Sequence, residues 1–108
     1  MSEAICPVAE AAKLLGDKWT LIVLRDLAEG PRRFKELERS GEGISPSILA
    51  ARLRELEQQG IVTRASYHEI PPRVEYALTP KGRDALPVVE ALRTYGTRWL
   101  VPEGAEVD

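Results

Sequence analysis

Basic side chains fall in three separated places along this 108-residue chain: Arg32, Arg33 and Lys35, then Arg52 and Arg54, then Arg73. Long-stemmed cations suit the phosphates of a nucleic-acid backbone, which supply much of the affinity in such complexes. A single Arg on a helix is more simply read as a partner of nearby acids such as Glu55 or Glu57. Three clusters gathered on one surface favour phosphate. Cys6 is the one cysteine, and Pro7 follows it. A residue before proline is biased away from helical dihedrals, so Cys6 suits a helix N-cap. A helix N-terminus favours a thiolate, the form that oxidants and electrophiles attack, although Glu10 on the next turn opposes it. The competing reading of Cys6 is a small, half-buried hydrophobe.

Catalytic chemistry finds little support. The single histidine, His68, sits in an expected loop tip with no partner for a triad or a metal. Gly41-Glu42-Gly43 starts like a phosphate loop, but no strand precedes it and Pro46 follows it. In Gly16-Asp17-Lys18-Trp19-Thr20, Trp19 stands where a phosphate loop needs Ser or Thr. The chain is therefore read as no enzyme, with no cofactor and no metal.

The elements that must position the cations are well marked. Ser45 is an N-cap candidate, Pro46 suits the first helical position and Gly60 is a stop, so a helix is expected from Pro46 to about Gln59. Leu49, Leu53 and Leu56 give it an apolar stripe, while Ser47, Ala51, Arg54 and Gln58 occupy the other face. A short helix, Phe34 to Arg39, lies upstream, after an extended piece at Arg32 to Phe34. Ile61 to Tyr67 and Val74 to Leu78 read as two strands around a stiff loop, His68 to Arg73, with two prolines.

Helix, turn, helix and β-ribbon form a winged helix-turn-helix, a layout that points to DNA. Base reading then falls to Ser47, Ile48 and Ala51 near the helix N-terminus, with Ser45, Arg33, Lys35, Arg52, Arg54 and Arg73 completing the expected contact set.

Two further helices flank this unit. The first opens at Cys6-Pro7, carries Val8, Ala11, Ala12 and Leu15 at i, i+3, i+4 and i+7, and ends at Gly16. The second, capped by Asp17, runs from Lys18 to about Ala28 and is apolar all round at Leu21 to Leu24, as in a buried helix. Thr79-Pro80 starts a last helical region that Pro87 must kink or divide. Beyond it Val88, Leu92, Tyr95 and Trp99 form a stripe at i, i+4, i+7 and i+11. Together with Val8 and Leu15, this stripe exceeds what one small core needs, so a homodimer interface is expected there.

The fold class expected is mainly α with a small antiparallel β-ribbon, a winged helix-turn-helix with additional N- and C-terminal helices for dimerisation. Residues 1–101 make this domain, and 102–108 an acidic, disordered tail.

Composition sets bounds on this reading. The chain is 44% hydrophobic and 30% charged, with net charge −2. Pro31 to Glu75 holds eight Lys/Arg against seven Asp/Glu, or +1, leaving −3 for the remainder. DNA binding must then rest on a local patch. No apolar run nears the ~20 residues of a membrane span. The start, Met-Ser-Glu-Ala-Ile, lacks the pattern of a secretory signal, and a lone cysteine suits a reducing cytoplasm.

Five motifs occur in order: C-P-V; L-L-G-D-K-W-T-L-I-V-L-R-D-L; G-P-R-R-F-K-E-L; G-I-S-P-S-I-L-A-A-R-L-R-E-L-E-Q-Q-G-I-V; and P-P-R-V-E-Y-A-L-T-P-K-G. Over Cys6 to Trp99 the chain resembles the HxlR-type transcriptional regulators. The resemblance implies a bacterial or archaeal winged-helix homodimer, joined through its terminal helices and bound to a pseudo-palindromic double-stranded DNA operator. Some members sense quinones, aldehydes or oxidants through a cysteine near the N-terminus, and Cys6 matches that position. The departure lies in the recognition helix. Relatives often carry Lys, Thr, Gln or Arg where this chain has Ser47, Ala50 and Ala51, which argues against strong base-specific readout. The rival reading is a winged-helix protein-interaction module whose DNA surface has weakened.

Overall fold

The computed structural model describes residues 4–41 and 43–107. Met1 to Glu3, Glu42 of the loop expected before the long helix, and Asp108 of the acidic tail lie outside the described residues. The order is α1 Pro7–Leu15, α2 Lys18–Leu27, β1 Arg32–Arg33, α3 Phe34–Ser40, α4 Pro46–Gln58, β2 Val62–Tyr67, β3 Arg73–Leu78, α5 Pro80–Arg83 and α6 Leu86–Trp99.

Helices α1 to α5 start where their capping chemistry lies, whereas Ala85 before α6 offers no side-chain cap. Cys6 Sγ accepts from the Ala9 amide at 3.4 Å, and Ser45 Oγ accepts from the Ile48 amide at 3.2 Å. Asp17 Oδ1 accepts from Trp19 and Thr20 at 2.9 and 3.1 Å. Glu36 reaches back to the Arg33 amide at 2.9 Å and fixes the start of α3. Gly60, at φ 74°, ends α4 in the left-handed region that a side chain would resist.

Leu49, Leu53 and Leu56 are each about 1% exposed and form the core with Val23, Leu24, Leu27, Leu37 and Ile61. Each such side chain contributes roughly 1.5–3 kcal/mol of burial. Leu21 and Ile22 depart from the expected all-round burial of α2. They are half-buried and line a cleft against α6, because α2 has one face on the core and one beside the C-terminal helix.

The sheet is antiparallel with order β1-β3-β2. Arg32 pairs with Tyr76 and Arg33 with Glu75, while Val62 to Tyr67 pair with Leu78 to Arg73. The short extended piece is thus a third strand beside the ribbon. Pro87 divides rather than kinks the last region: α5 ends at Arg83, and Pro87 lies in the first turn of α6.

A compact join ties the end of α4 to α5. Thr79 Oγ1 bonds the Gly60 carbonyl and accepts from the Gly82 amide at 3.0 Å, and the Thr79 amide donates to Ile61 at 3.0 Å. Lys81 Nζ donates to the Gln59 carbonyl at 2.8 Å. A Cβ on Gly82 would stand 2.3 Å from the Ile61 carbonyl oxygen, so only glycine fits.

The radius of gyration is 15.7 Å, against roughly 13 Å for a compact domain near this length. None of the nine residues of α1 is buried, and Val89 alone is buried among the fourteen of α6.

Candidate nucleic-acid interface

The recognition helix presents an open N-terminal half. Its leucine stripe faces the core, which leaves Pro46, Ser47 and Ile48 exposed and Ala51 half-exposed. Ser45 Oγ is occupied by the cap and lies 3.3 Å from Ser47 Oγ. Arg54 points outward from this helix and, among the described residues, forms no ion pair.

Arg52 behaves differently from the phosphate contact expected of it. It lies three residues after Leu49 and four before Leu56, so it shares their flank of the helix. Its Nη2 is 3.1 Å from Asp17 Oδ2 and its Nη1 is 3.5 Å from Glu55. Its Nε is buried without a hydrogen-bond partner. Burial works to raise the Asp17 carboxyl, but hydrogen bonds from Arg52, Thr20 and Trp19 and the Arg52 charge outweigh it and hold the pKa below its ordinary value. Asp17 and Glu55 likewise hold Arg52 in its charged form.

Arg73 is also engaged within the chain. It meets Glu69 at 3.2 Å and Glu75 at 3.6 Å, and its guanidinium stacks 4.3 Å from the centre of the Tyr67 ring. These contacts brace the base of the wing. Its tip, His68 to Pro72, is exposed throughout, with Ile70 fully exposed.

Between α3 and the wing runs a groove of about 720 Å³. Among the described residues Arg33, Lys35, Arg39 and Arg73 line it with one acid, Glu36. The fold therefore does bring Arg33 and Lys35 to the wing residue Arg73. Arg39 escaped the sequence reading, although its place one helical turn after Lys35 was a usable signal. Arg32 goes to the other side of β1, beside Arg25, Asp26 and Glu29, since neighbouring strand residues face opposite ways.

Cys6 is exposed and in no disulfide. Val8 is 77% exposed, Val88 42%, Leu92 48%, Tyr95 60% and Trp99 63%. Leu15, also expected at the interface, is half-buried and packs on the chain's own core. Among the described residues no helix is long and apolar enough to cross a membrane, and no cluster of His, Cys, Asp and Glu could hold a metal.

Known proteins resemble this arrangement closely. The HxlR-like helix-turn-helix family matches residues 14–104, a span that begins after Cys6. The HTH-type transcriptional regulator sll1512 of Synechocystis sp. is 46% identical over 102 residues, covering 94% of this chain and 76% of the relative. The redox regulator HypR in its oxidized form superposes with a TM-score of 0.82 at 37% identity, covering 94% of this chain and all of that one. Diamide-treated YodB from Bacillus subtilis does so with a TM-score of 0.72 at 38% identity, covering 93% of this chain and all of that one. With its exposed recognition helix and wing, this chain belongs to the HxlR-like helix-turn-helix family and is a DNA-binding winged helix-turn-helix transcriptional regulator.

Proposed function

We propose that the chain works in the cytoplasm as a homodimeric, sequence-specific regulator without catalytic activity, bound to a pseudo-palindromic operator and responsive to an oxidant or electrophile at Cys6. The observation that carries the dimer is α1, nine residues with none buried. So short a helix is marginal in water on its own and gains stability from a packing partner. The exposed stripe Val88, Leu92, Tyr95 and Trp99 offers the matching apolar surface. Two-fold pairing would place two recognition helices on half-sites one or more turns of DNA apart. Arg33, Lys35 and Arg54 would meet phosphate, and Ser47, Ile48 and Ala51 would approach base edges.

The sensing part is supported by the exposed Cys6 thiol at the N-cap of α1 and by likeness to HypR and diamide-treated YodB. With one cysteine per chain, a disulfide joins two subunits or takes up a small thiol. Two thiols then lose two protons and two electrons to the oxidant. A quinone instead adds at a ring carbon to the thiolate sulfur and becomes a hydroquinone thioether, taking one proton from the thiol and relocating one ring proton. Either change at the start of α1 would bias subunit geometry and so couple to operator affinity.

Selection from a random duplex pool, with the mass by light scattering, tests the reading. Two-fold symmetric sites and a two-chain mass are expected. No enrichment would favour the rival, a protein-contact module, to which the internal pairing of Arg52 and Arg73 gives some weight.

A further inference from the structure

We propose that the cleft between α2 and α6 binds a small amphiphilic anion, an apolar body bearing one carboxylate or sulfonate. The cleft is open to solvent and offers about 390 Å³, within the ~300–1,000 Å³ of small-molecule sites. Leu21 and Ile22 of α2 face Val89 and Leu92 of α6 across it. Gly96 keeps one wall open, since a Cβ there meets nothing within 4 Å. The chain after α6 turns back, with Ala105 donating to the Pro102 carbonyl at 3.1 Å, and Val101 and Val107 close the remaining side.

Charge selects the class of occupant. Lys18, Arg25 and Arg93 stand around the apolar floor, and no acid is among the described lining residues. Arg25 is held by Asp26 and the Ser40 carbonyl, and Arg93 by Glu90. Lys18 lies over the Trp19 ring at 4.8 Å and, among the described residues, has no ion pair. An anionic head near Lys18 would be neutralised while its apolar body fills the cleft.

The site stands apart from DNA binding, so it is tested without DNA. The probes are 8-anilino-1-naphthalenesulfonate and N-phenyl-1-naphthylamine, the same ring frame without the sulfonate, followed by fluorescence. One saturable site per chain is expected, with the sulfonate bound about tenfold tighter. Lys18→Met should cut that preference to about threefold or less. Gly96→Phe and Thr97→Trp should abolish binding of both probes at unchanged melting temperature and mass. If Gly96→Phe does not fold, Thr97→Trp decides, because Thr97 is exposed at the mouth. Equal binding of the two probes, or full binding by the filled variants, overturns the proposal. So does a changed mass in the filled variants, which gives the cleft to a second copy. Binding that appears only after removal of residues 102–108 gives it to the chain's own tail and overturns it equally.

Discussion

Asp17 Oδ2 lies 3.1 Å from Arg52 Nη2, so the residue that caps α2 also holds the recognition helix. The two side chains are 36% and 29% exposed, and pairs of that exposure contribute about 0.2–1 kcal/mol. Asn caps helices as well as Asp, so Asp17→Asn isolates the pair from the cap. It should cost no more than about 1 kcal/mol at pH 7, whereas Asp17→Ala should cost about 1–2 kcal/mol because the cap is lost too.

The pH dependence has a definite sign. The folded carboxyl of Asp17 is held below the ordinary value of 3.8. Its contribution is therefore complete above that value and is lost as the pH falls through the lower folded one. Urea midpoints of wild type and Asp17→Asn should differ at pH 7 and pH 5 and converge below about pH 4. A gap that persists at low pH would remove the ion pair from the account.

The Arg residues should separate by salt dependence. Arg54→Ala should weaken binding to all duplexes alike and lower the slope of log K against log salt by about one. Arg52→Ala and Arg73→Ala should leave the slope unchanged and lower the urea midpoint, since both cations have partners within the chain. Anisotropy titrations at several salt concentrations give the slopes. A drop of one for Arg52→Ala would return that residue to the phosphate set.

Paired charge on α6 should split the dimer. Tyr95→Glu with Trp99→Glu places carboxylates on side chains that are now exposed and apolar. Light scattering at micromolar concentration should change from two chains to one, while circular dichroism of the wild-type and variant cores stays alike. A two-chain mass in the variant would put the interface elsewhere.

Cys6→Ser should remove the response to diamide or a quinone and keep operator binding. Serine is a better cap acceptor than the Sγ now 3.4 Å from Ala9, so the variant should be no less stable, by up to about 0.5 kcal/mol in its favour. An identical oxidant response in wild type and variant would make Cys6 a packing and capping residue alone.

The parts of this fold legible in the sequence are those written locally. Ser45, Pro46 and Gly60 bound the recognition helix, and the leucines between them point to its buried side. What escaped depends on contacts far apart in the chain. The extended piece at Arg32–Arg33 is legible, but its place in the sheet is not, because two residues show no periodicity and the pairing depends on the edge that Tyr76 and Glu75 offer. The pairing of Arg52 with Asp17 spans two helices, and nothing near either residue announces it. Arg73 looked free because its partners Glu69 and Glu75 flank a loop of unknown path. Leu15 has the same pattern on paper as Val8, and only the packing of α1 on α2 separates their roles.

The join at Gly82 makes a lever of two helices that are remote in function. Gln59, Gly60 and Ile61 at the foot of α4 are pinned to Thr79, Lys81 and Gly82, and α6 begins four residues later. Were two copies to meet through α6, as proposed, a turn of that helix would carry to the reading head through this join, with Gly82 as the fulcrum. A bulkier residue at this buried turn would press on the Ile61 carbonyl and mis-set the angle between the two helices.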